Sequence, residues 1–181
     1  MKQRRRIYYS ESQKALMWER WRKGESLQHI AQLFNRNHSS VQNIKFDFLG
    51  YTFRPRAVKN RKRNSMFVSF TPAVSSAALK SMQQTTRKAN FRNRTPLSLR
   101  DIARAHNPVL RGWFAYYGRF CPSAMYPVFK HFNRTLVAWA MRKYKRLKGH
   151  KIRASRFIQG IAKQNPNLFV HWRRGVTGMD A

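Results

Sequence analysis

The stretch from Asn107 to Phe120 combines the residue types that bind nucleic acid. It holds five aromatic residues and two arginines within fourteen positions. Fixed positive charge attracts phosphate, and aromatic rings stack on unpaired bases. The alternative is that these rings form a protein core, which is the commoner fate of an aromatic residue at helical spacing.

Helical spacing divides this stretch into two faces. One face is apolar and is predicted to enter a core; it consists of Leu110, Trp113 or Phe114, and Tyr117. Arg111 and Tyr116 point elsewhere and are the better candidates for contact with nucleic acid. Gly112 is predicted to permit close helix packing.

Catalytic chemistry finds little support in the residue types. A polymerase needs clustered carboxylates that hold two Mg²⁺ ions roughly 4 Å apart, but Asp47, Asp101 and Asp180 are widely separated. The six histidines show no ligand spacing. Cys121 is the single cysteine, which excludes a disulfide within the chain and a cysteine zinc site. We expect no metal, no cofactor and no enzyme activity.

The charge balance indicates a polyanionic partner. The 181 residues include 38 Lys and Arg against 6 Asp and Glu, a formal net charge of +32. Self-repulsion at this charge destabilises a compact state unless a polyanion is bound. Nucleic acid is the favoured partner, and an acidic membrane surface is the weaker one. The apolar fraction of 42% suffices for a packed core.

Nothing in the sequence indicates a membrane or a secreted protein. No apolar run approaches the length of a membrane span, and the basic N-terminus lacks the apolar region of a signal peptide. We therefore expect a cytoplasmic protein with no membrane partner and no small-molecule substrate.

Residues 1–44 are typical of a small helix-turn-helix module. Ser10 is predicted to cap a helix that ends at Arg22, with Leu16 on its apolar face, and Ser26 to cap a shorter helix over 27–34. A polar third helix is predicted over 38–44, after a short turn. A helical hairpin that only packs is the alternative.

This module resembles the N-terminal helix-turn-helix of IS30-class transposases. The resemblance rests on the run 26–34 followed by 37–41. It implies that DNA bases are read in the major groove by Asn37, His38, Ser39, Gln42 and Asn43.

Residues 45–71 are predicted to form a β-hairpin. Alternating apolar residues indicate strands over 46–53 and 66–70. The connection over 54–65 is too long for a tight turn and is predicted to be a loop whose charges are free to meet phosphate. Its basic residues are Arg54, Arg56, Lys59, Arg61, Lys62 and Arg63.

Residues 72–181 are predicted to be a helical bundle, so the fold class is mainly α. Pro72 suits the start of a helix that runs to about residue 88. Ser98 caps the next helix, with Asp101 at N3 in a capping-box-like arrangement, and Pro108 should kink or restart this helix. Further helices are predicted over about 123–147 and 154–164. The first of them carries an apolar stripe that includes Phe129, Phe132, Leu136 and Trp139 or Ala140 and is predicted to face the core. The aromatic tail at 168–172 is predicted either to dock on the bundle or to stack a base.

Several motifs of residues 45–181 resemble the C-terminal part of group II intron reverse transcriptase/maturases. The run 48–55 looks like the end of the palm. The run 107–113 with Tyr116 and Tyr117 looks like the signature of the maturase-specific thumb, also called domain X. The runs 139–147 and 169–172 resemble the C-terminal stretch of the same family.

The resemblance implies a thumb-like bundle that binds intron RNA and helps it to fold and splice. The residues it implies for RNA contact are Arg111, Trp113, Tyr116, Tyr117, Arg119, Arg142, Lys143 and Arg146. Lys145 joins them because it belongs to the cationic run over 142–151. The catalytic palm of the family is missing, and the helix-turn-helix stands in its place.

Three hypotheses follow from this hybrid pattern. The chain is an RNA-binding module of maturase origin, or a DNA-binding protein that acts through its helix-turn-helix, or a fragment of mobile elements without a selected role. Group II intron RNA is the favoured partner and DNA the second candidate. A homodimer that covers the apolar face of a thumb without a palm is left open.

Overall fold

A computed structural model describes residues 8–36, 46–60 and 64–178. The chain divides into two compact units, Met1–Pro72 and Ala73–Ala181. The described part contains six α-helices and a three-stranded antiparallel sheet, which confirms the mainly α fold class.

The first two helices of the N-terminal unit begin at the predicted caps. Helix α1 (Glu11–Arg22) starts with a capping box, in which Ser10 Oγ accepts from the Gln13 amide. Helix α2 (Leu27–Leu33) starts at Ser26, whose Oγ accepts from the His29 amide. Each cap satisfies a helix amide that would otherwise lack an acceptor.

A small core joins these two helices, and it corrects one prediction. Met17, Ile30 and Ala31 are buried, whereas Leu16 is 43% exposed. Neighbouring helix positions differ by about 100° in direction. The apolar face predicted at Leu16 is therefore one residue out of phase with the buried face, which contains Met17. The predicted third helix over 38–44 lies outside the described residues.

The sheet extends further than the sequence predicted. Strands β1 (Phe46–Phe48) and β2 (Tyr51–Asn60) form an antiparallel hairpin, and β3 (Ser65–Val74) pairs with β2. Leu49 and Gly50 connect β1 to β2 with positive φ values of 48° and 78°. Two such residues in succession make the turn that suits the strand twist.

The predicted basic loop over 54–65 is therefore wrong for most of its length. Arg54, Arg56 and Lys59 lie on β2, and Arg56 Nε donates to the Thr71 carbonyl at 3.2 Å. A basic run does not by itself indicate a loop, because strand positions that face solvent can carry charge. Pro72 lies within β3 and does not start a helix. Arg61, Lys62 and Arg63 are outside the described residues.

Four helices build the C-terminal unit: α3 (Ser76–Lys88), α4 (Leu99–Tyr117), α5 (Tyr126–Lys143) and α6 (Lys151–Gln164). Helix α5 lies at the centre, because it packs against α3, α6 and the short turns beside it. The predicted apolar stripe on α5 is confirmed, and it includes Phe129, Phe132, Leu136 and Trp139. A helix buried over so much of its surface is the core of its unit.

Helix α4 carries the signature stretch and runs without a break. Its capping box of Ser98 and Asp101 is confirmed, and these hydrogen bonds from Ser98 lower the pKa of the Asp101 carboxyl. Of the predicted kink or restart at Pro108, the restart is wrong, because the helix continues through this residue. Pro108 costs the helix one amide donor to the carbonyl of Arg104. Arg104 is exposed, so water can satisfy that carbonyl.

The aromatic tail after α6 docks into the bundle through one buried amide. Asn133 Nδ2 donates to the carbonyls of Val176 and Gly178, each at 3.0 Å. Asn133 Oδ1 then accepts from His171 Nε2–H at 2.7 Å and from Trp172 Nε1–H at 3.0 Å. His171 is fully buried and stacks on the Phe129 ring, so the docking alternative is the correct one.

This buried histidine should make the fold sensitive to acid. Burial lowers the pKa of His171 to about 3, and Nδ1 has no partner that could accept a second N–H. The unfolded imidazole takes up its proton near pH 6.5, so stability is full above that pH and falls as the pH is lowered toward 3. Urea unfolding followed by fluorescence should show a loss of about 2–3 kcal/mol between pH 7.5 and pH 4.5.

The matched variant is His171→Gln, which keeps an N–H donor for Asn133 but does not titrate. Its stability should fall less between the same two pH values, even if the variant is weaker overall. Part of the loss should remain in the variant, because burial also lowers the pKa of His106 and of His131. Equal losses in the variant and the wild type would show that His171 does not carry the effect.

Candidate nucleic-acid interface

The signature stretch on α4 divides as helical spacing predicts. Leu110 is buried, and Trp113, Phe114 and Tyr117 pack in part against the core of the C-terminal unit. Arg111 is exposed, and so are Tyr116 and Arg119. The aromatic residues of this stretch thus hold the bundle on one side and reach solvent on the other.

The two glycines of the stretch have different surroundings. A Cβ atom at Gly112 would meet nothing within 4 Å, so the predicted close packing there is wrong. A Cβ atom at Gly118 would lie 2.6 Å from the Phe114 carbonyl oxygen. Gly118 ends α4 and is the position where a side chain does not fit.

The C-terminal end of α4 presents aromatic rings beside a cation. Tyr116 is 48% exposed and meets the Tyr117 ring edge-on, with the centroids 4.7 Å apart. Phe120 is 53% exposed, and the Arg119 guanidinium lies 5.8 Å from its ring centroid. A ring held by its neighbours and open on one face can stack an unpaired base.

The cations after α5 do not all face solvent. Arg142, Lys145 and Arg146 are exposed, and the Arg146 guanidinium lies 5.8 Å from the centroid of the Phe157 ring. Lys143 is different, because its Nζ donates to the carbonyls of Thr95 at 2.9 Å and Leu97 at 2.7 Å. Lys143 therefore fastens the turn before α4 to the end of α5.

The structure adds two arginines that the sequence analysis did not select. Arg173 and Arg174 follow the docked tail and are exposed. The Arg174 guanidinium lies 3.5 Å from the centroid of the Phe114 ring, which joins the tail to the signature stretch. In the sequence, two arginines directly after an aromatic run indicate a further basic surface. Their contact with Phe114 could not be predicted, because some sixty positions separate them.

A second cationic surface lies at the start of α6. Lys151, Arg153 and Arg156 are exposed there, and Ile152 stands among them with 71% of its surface exposed. These residues line a shallow depression together with Gly149 and His150.

Charge in the C-terminal unit is almost entirely of one sign. Residues 73–178 contain 22 Lys and Arg but a single acidic residue, Asp101. The N-terminal unit differs, since Glu11, Glu19 and Glu25 each lie within 4 Å of a basic group there. The cations of residues 73–178 thus have only one carboxylate side chain, Asp101, to pair with inside that range.

The remaining predicted contacts lie elsewhere. Arg54 and Arg56 are on strand β2. The predicted DNA-reading residues at 37–43 are outside the described ranges. Within those ranges no three His, Cys, Asp or Glu side chains cluster as metal ligands would, and no described helix is both long and apolar enough to cross a membrane.

Comparison with known protein families finds a match to part of the C-terminal unit. Residues 79–157 match the family model described as "Group II intron, maturase-specific domain". The matched segment runs from within α3 to within α6 and includes the signature stretch and the cations after α5. It does not include residues 8–36, so the comparisons give the IS30-type helix-turn-helix no support. No curated protein and no solved structure matches the chain.

The neighbouring cations Arg142 and Lys143 should differ in how much each contributes to the free energy of unfolding. Lys143→Met removes two charge-assisted hydrogen bonds to carbonyls and should lower the free energy of unfolding by about 1–3 kcal/mol. Arg142→Ala should change it by less than about 0.5 kcal/mol, because Arg142 is exposed. Urea unfolding of both variants measures this difference. Equal stability losses would show that Lys143 is a surface cation like its neighbour.

Proposed function

We propose that the chain is an RNA-binding module of the maturase type, which binds group II intron RNA and supports its folding and splicing. The observation that carries this proposal is the maturase-specific match over 79–157. The exposed cations and rings of the same segment support it, because they are suited to phosphate and to unpaired bases.

The residues proposed for RNA contact come from two places in that segment. On α4 and just after it they are Arg111, Tyr116 and Arg119; after α5 they are Arg142, Lys145 and Arg146. Trp113 and Tyr117 support the α4 face by packing against the core. Lys143 is left out of the contact set because its Nζ serves two carbonyls.

Binding by these residues would be driven largely by the release of counterions. Each phosphate that a lysine or arginine neutralises frees condensed cations, so affinity falls steeply with salt. RNA selectivity would come from the aromatic residues, since structured RNA offers unstacked bases that duplex DNA does not.

The proposed role does not include polymerisation by this chain. The two described aspartates have structural uses: Asp101 accepts from the Ser98 amide in the capping box of α4, and Asp47 accepts from the Thr52 hydroxyl in the β1–β2 hairpin. Support of splicing would therefore rest on holding RNA in shape through binding.

Filter binding over a salt series tests this function. A structured group II intron RNA should bind more tightly than duplex DNA of equal length at every salt concentration. The advantage should persist at high salt, because stacking depends less on salt than phosphate contact does. A matched RNA of fully paired sequence is the control, and it should bind no better than the DNA.

The opposite binding preference would contradict this proposal. If the chain selected one duplex DNA sequence and held intron RNA no better than any other polyanion, the maturase proposal would be wrong. The helix-turn-helix hypothesis would then be the better account.

A further inference from the structure

An open depression lies where α4 meets the docked C-terminal tail. It has a volume of about 620 Å³ and is lined by Asn107, Arg111, Asn167, Val170, Arg173 and Arg174. Three of these six residues are arginines, and they come from two segments about sixty positions apart. The tail lies beyond the matched segment, so the depression joins residues inside and outside it.

One side of this depression is held in place by Asn107. Its Nδ2 donates to the Leu168 carbonyl at 2.9 Å, and its Oδ1 accepts from the Val170 amide at 3.2 Å. The side-chain amide thus pairs with the tail as a neighbouring strand would. Asn133 holds the following residues of the tail through its hydrogen bonds with His171 and Val176. The position of Arg173 and Arg174 relative to Arg111 is therefore fixed by the fold.

Arg174 is further restrained by its contact with an aromatic ring. Its guanidinium lies 3.5 Å from the centroid of Phe114, a distance that gives a strong cation–π interaction. Gly175 follows with a φ of +81°, which turns the chain back directly after the arginine pair. A guanidinium held over a ring loses less conformational freedom when it binds an anion.

Within residues 73–178 the single acidic residue, Asp101, lies far from Arg111 along α4. Asp101 is ten residues before Arg111 on the same helix, about 15 Å along its axis at 1.5 Å per residue. That separation exceeds the screening length of about 8 Å at physiological salt. The three arginines around this open depression are therefore suited to an external anion.

We propose that Arg111, Arg173 and Arg174, here called the arginine site, bind one phosphodiester group of the RNA backbone. Guanidinium groups match this ligand because each presents two parallel N–H donors to two phosphate oxygens. The inference rests on the proposed function and adds to it. The docked tail completes the RNA surface of α4, and Asn107 and Asn133 position the tail.

Salt-dependent RNA binding of Arg→Gln variants tests the arginine site. If the three arginines share one phosphate, the losses of affinity in the single variants Arg111→Gln, Arg173→Gln and Arg174→Gln should not add up in the triple variant. The triple variant should lower the slope of log affinity against log salt by about 0.7–0.9, the value for one phosphate. Its affinity should fall about tenfold at physiological salt. The summed losses of binding free energy in the three single variants should exceed the loss in the triple variant.

The control is the triple variant Lys80→Gln, Lys88→Gln and Lys163→Gln. It removes the same charge from exposed helix positions outside the depression. Its affinity should fall much less than that of the arginine triple variant. Equal losses in both triple variants, or strictly additive losses among the arginines, would overturn the arginine site.

Failure of the site and failure of the proposed function give different results. If the wild-type chain shows no preference for intron RNA over duplex DNA, the proposed function fails, and the arginine site fails with it. If the wild type keeps its preference while both triple variants behave alike, only the arginine site is wrong. Should Arg174→Gln lower the melting temperature, the Arg111→Gln/Arg173→Gln double variant carries the test, since it leaves the contact with Phe114 intact.

Discussion

Repulsion among like charges is the constraint on which the C-terminal unit depends. With one acidic residue among 22 basic ones over 73–178, ion pairs between side chains cannot hold these helices together. Cohesion comes instead from the apolar surface of α5 and from hydrogen bonds that need no carboxylate. Lys143 and Asn133 show the solution most clearly, because each uses backbone carbonyls as its acceptors.

The same constraint links the packing of the C-terminal unit to its proposed binding of a polyanion. Lys143 is held by backbone carbonyls and Asn133 is neutral, so these structural contacts do not depend on a carboxylate. The exposed arginines and lysines carry the excess charge that we propose a polyanion neutralises. A polyanion that binds the folded state and relieves its repulsion also stabilises it. The signature stretch on α4 joins the two tasks, since Leu110 belongs to the core while Arg111 beside it faces solvent.

Local signals in the sequence predicted much of this arrangement. The caps at Ser10, Ser26 and Ser98 are confirmed because a cap depends on three or four adjacent residues. The core stripe of α5 is confirmed because burial on one helix follows the helical period. The division of the signature stretch into a packed and an open face follows from the same period.

The errors arose where distant residues decide the outcome or where two local signals compete. Pro108 does not interrupt α4, because packing of the flanking turns outweighs one lost hydrogen bond. The basic run after Phe53 continues as a strand because β3 pairs with it. The docking of the tail and the contact of Arg174 with Phe114 join residues more than thirty positions apart, which no local pattern reveals.

Ultraviolet cross-linking of the full chain to group II intron RNA, followed by mass spectrometry of the linked peptides, tests the central claim most directly. The account predicts linked residues on the exposed face of 107–120 and in 142–156, with Tyr116 among them. Cross-links confined to residues 1–72, with none in the C-terminal unit, would contradict it.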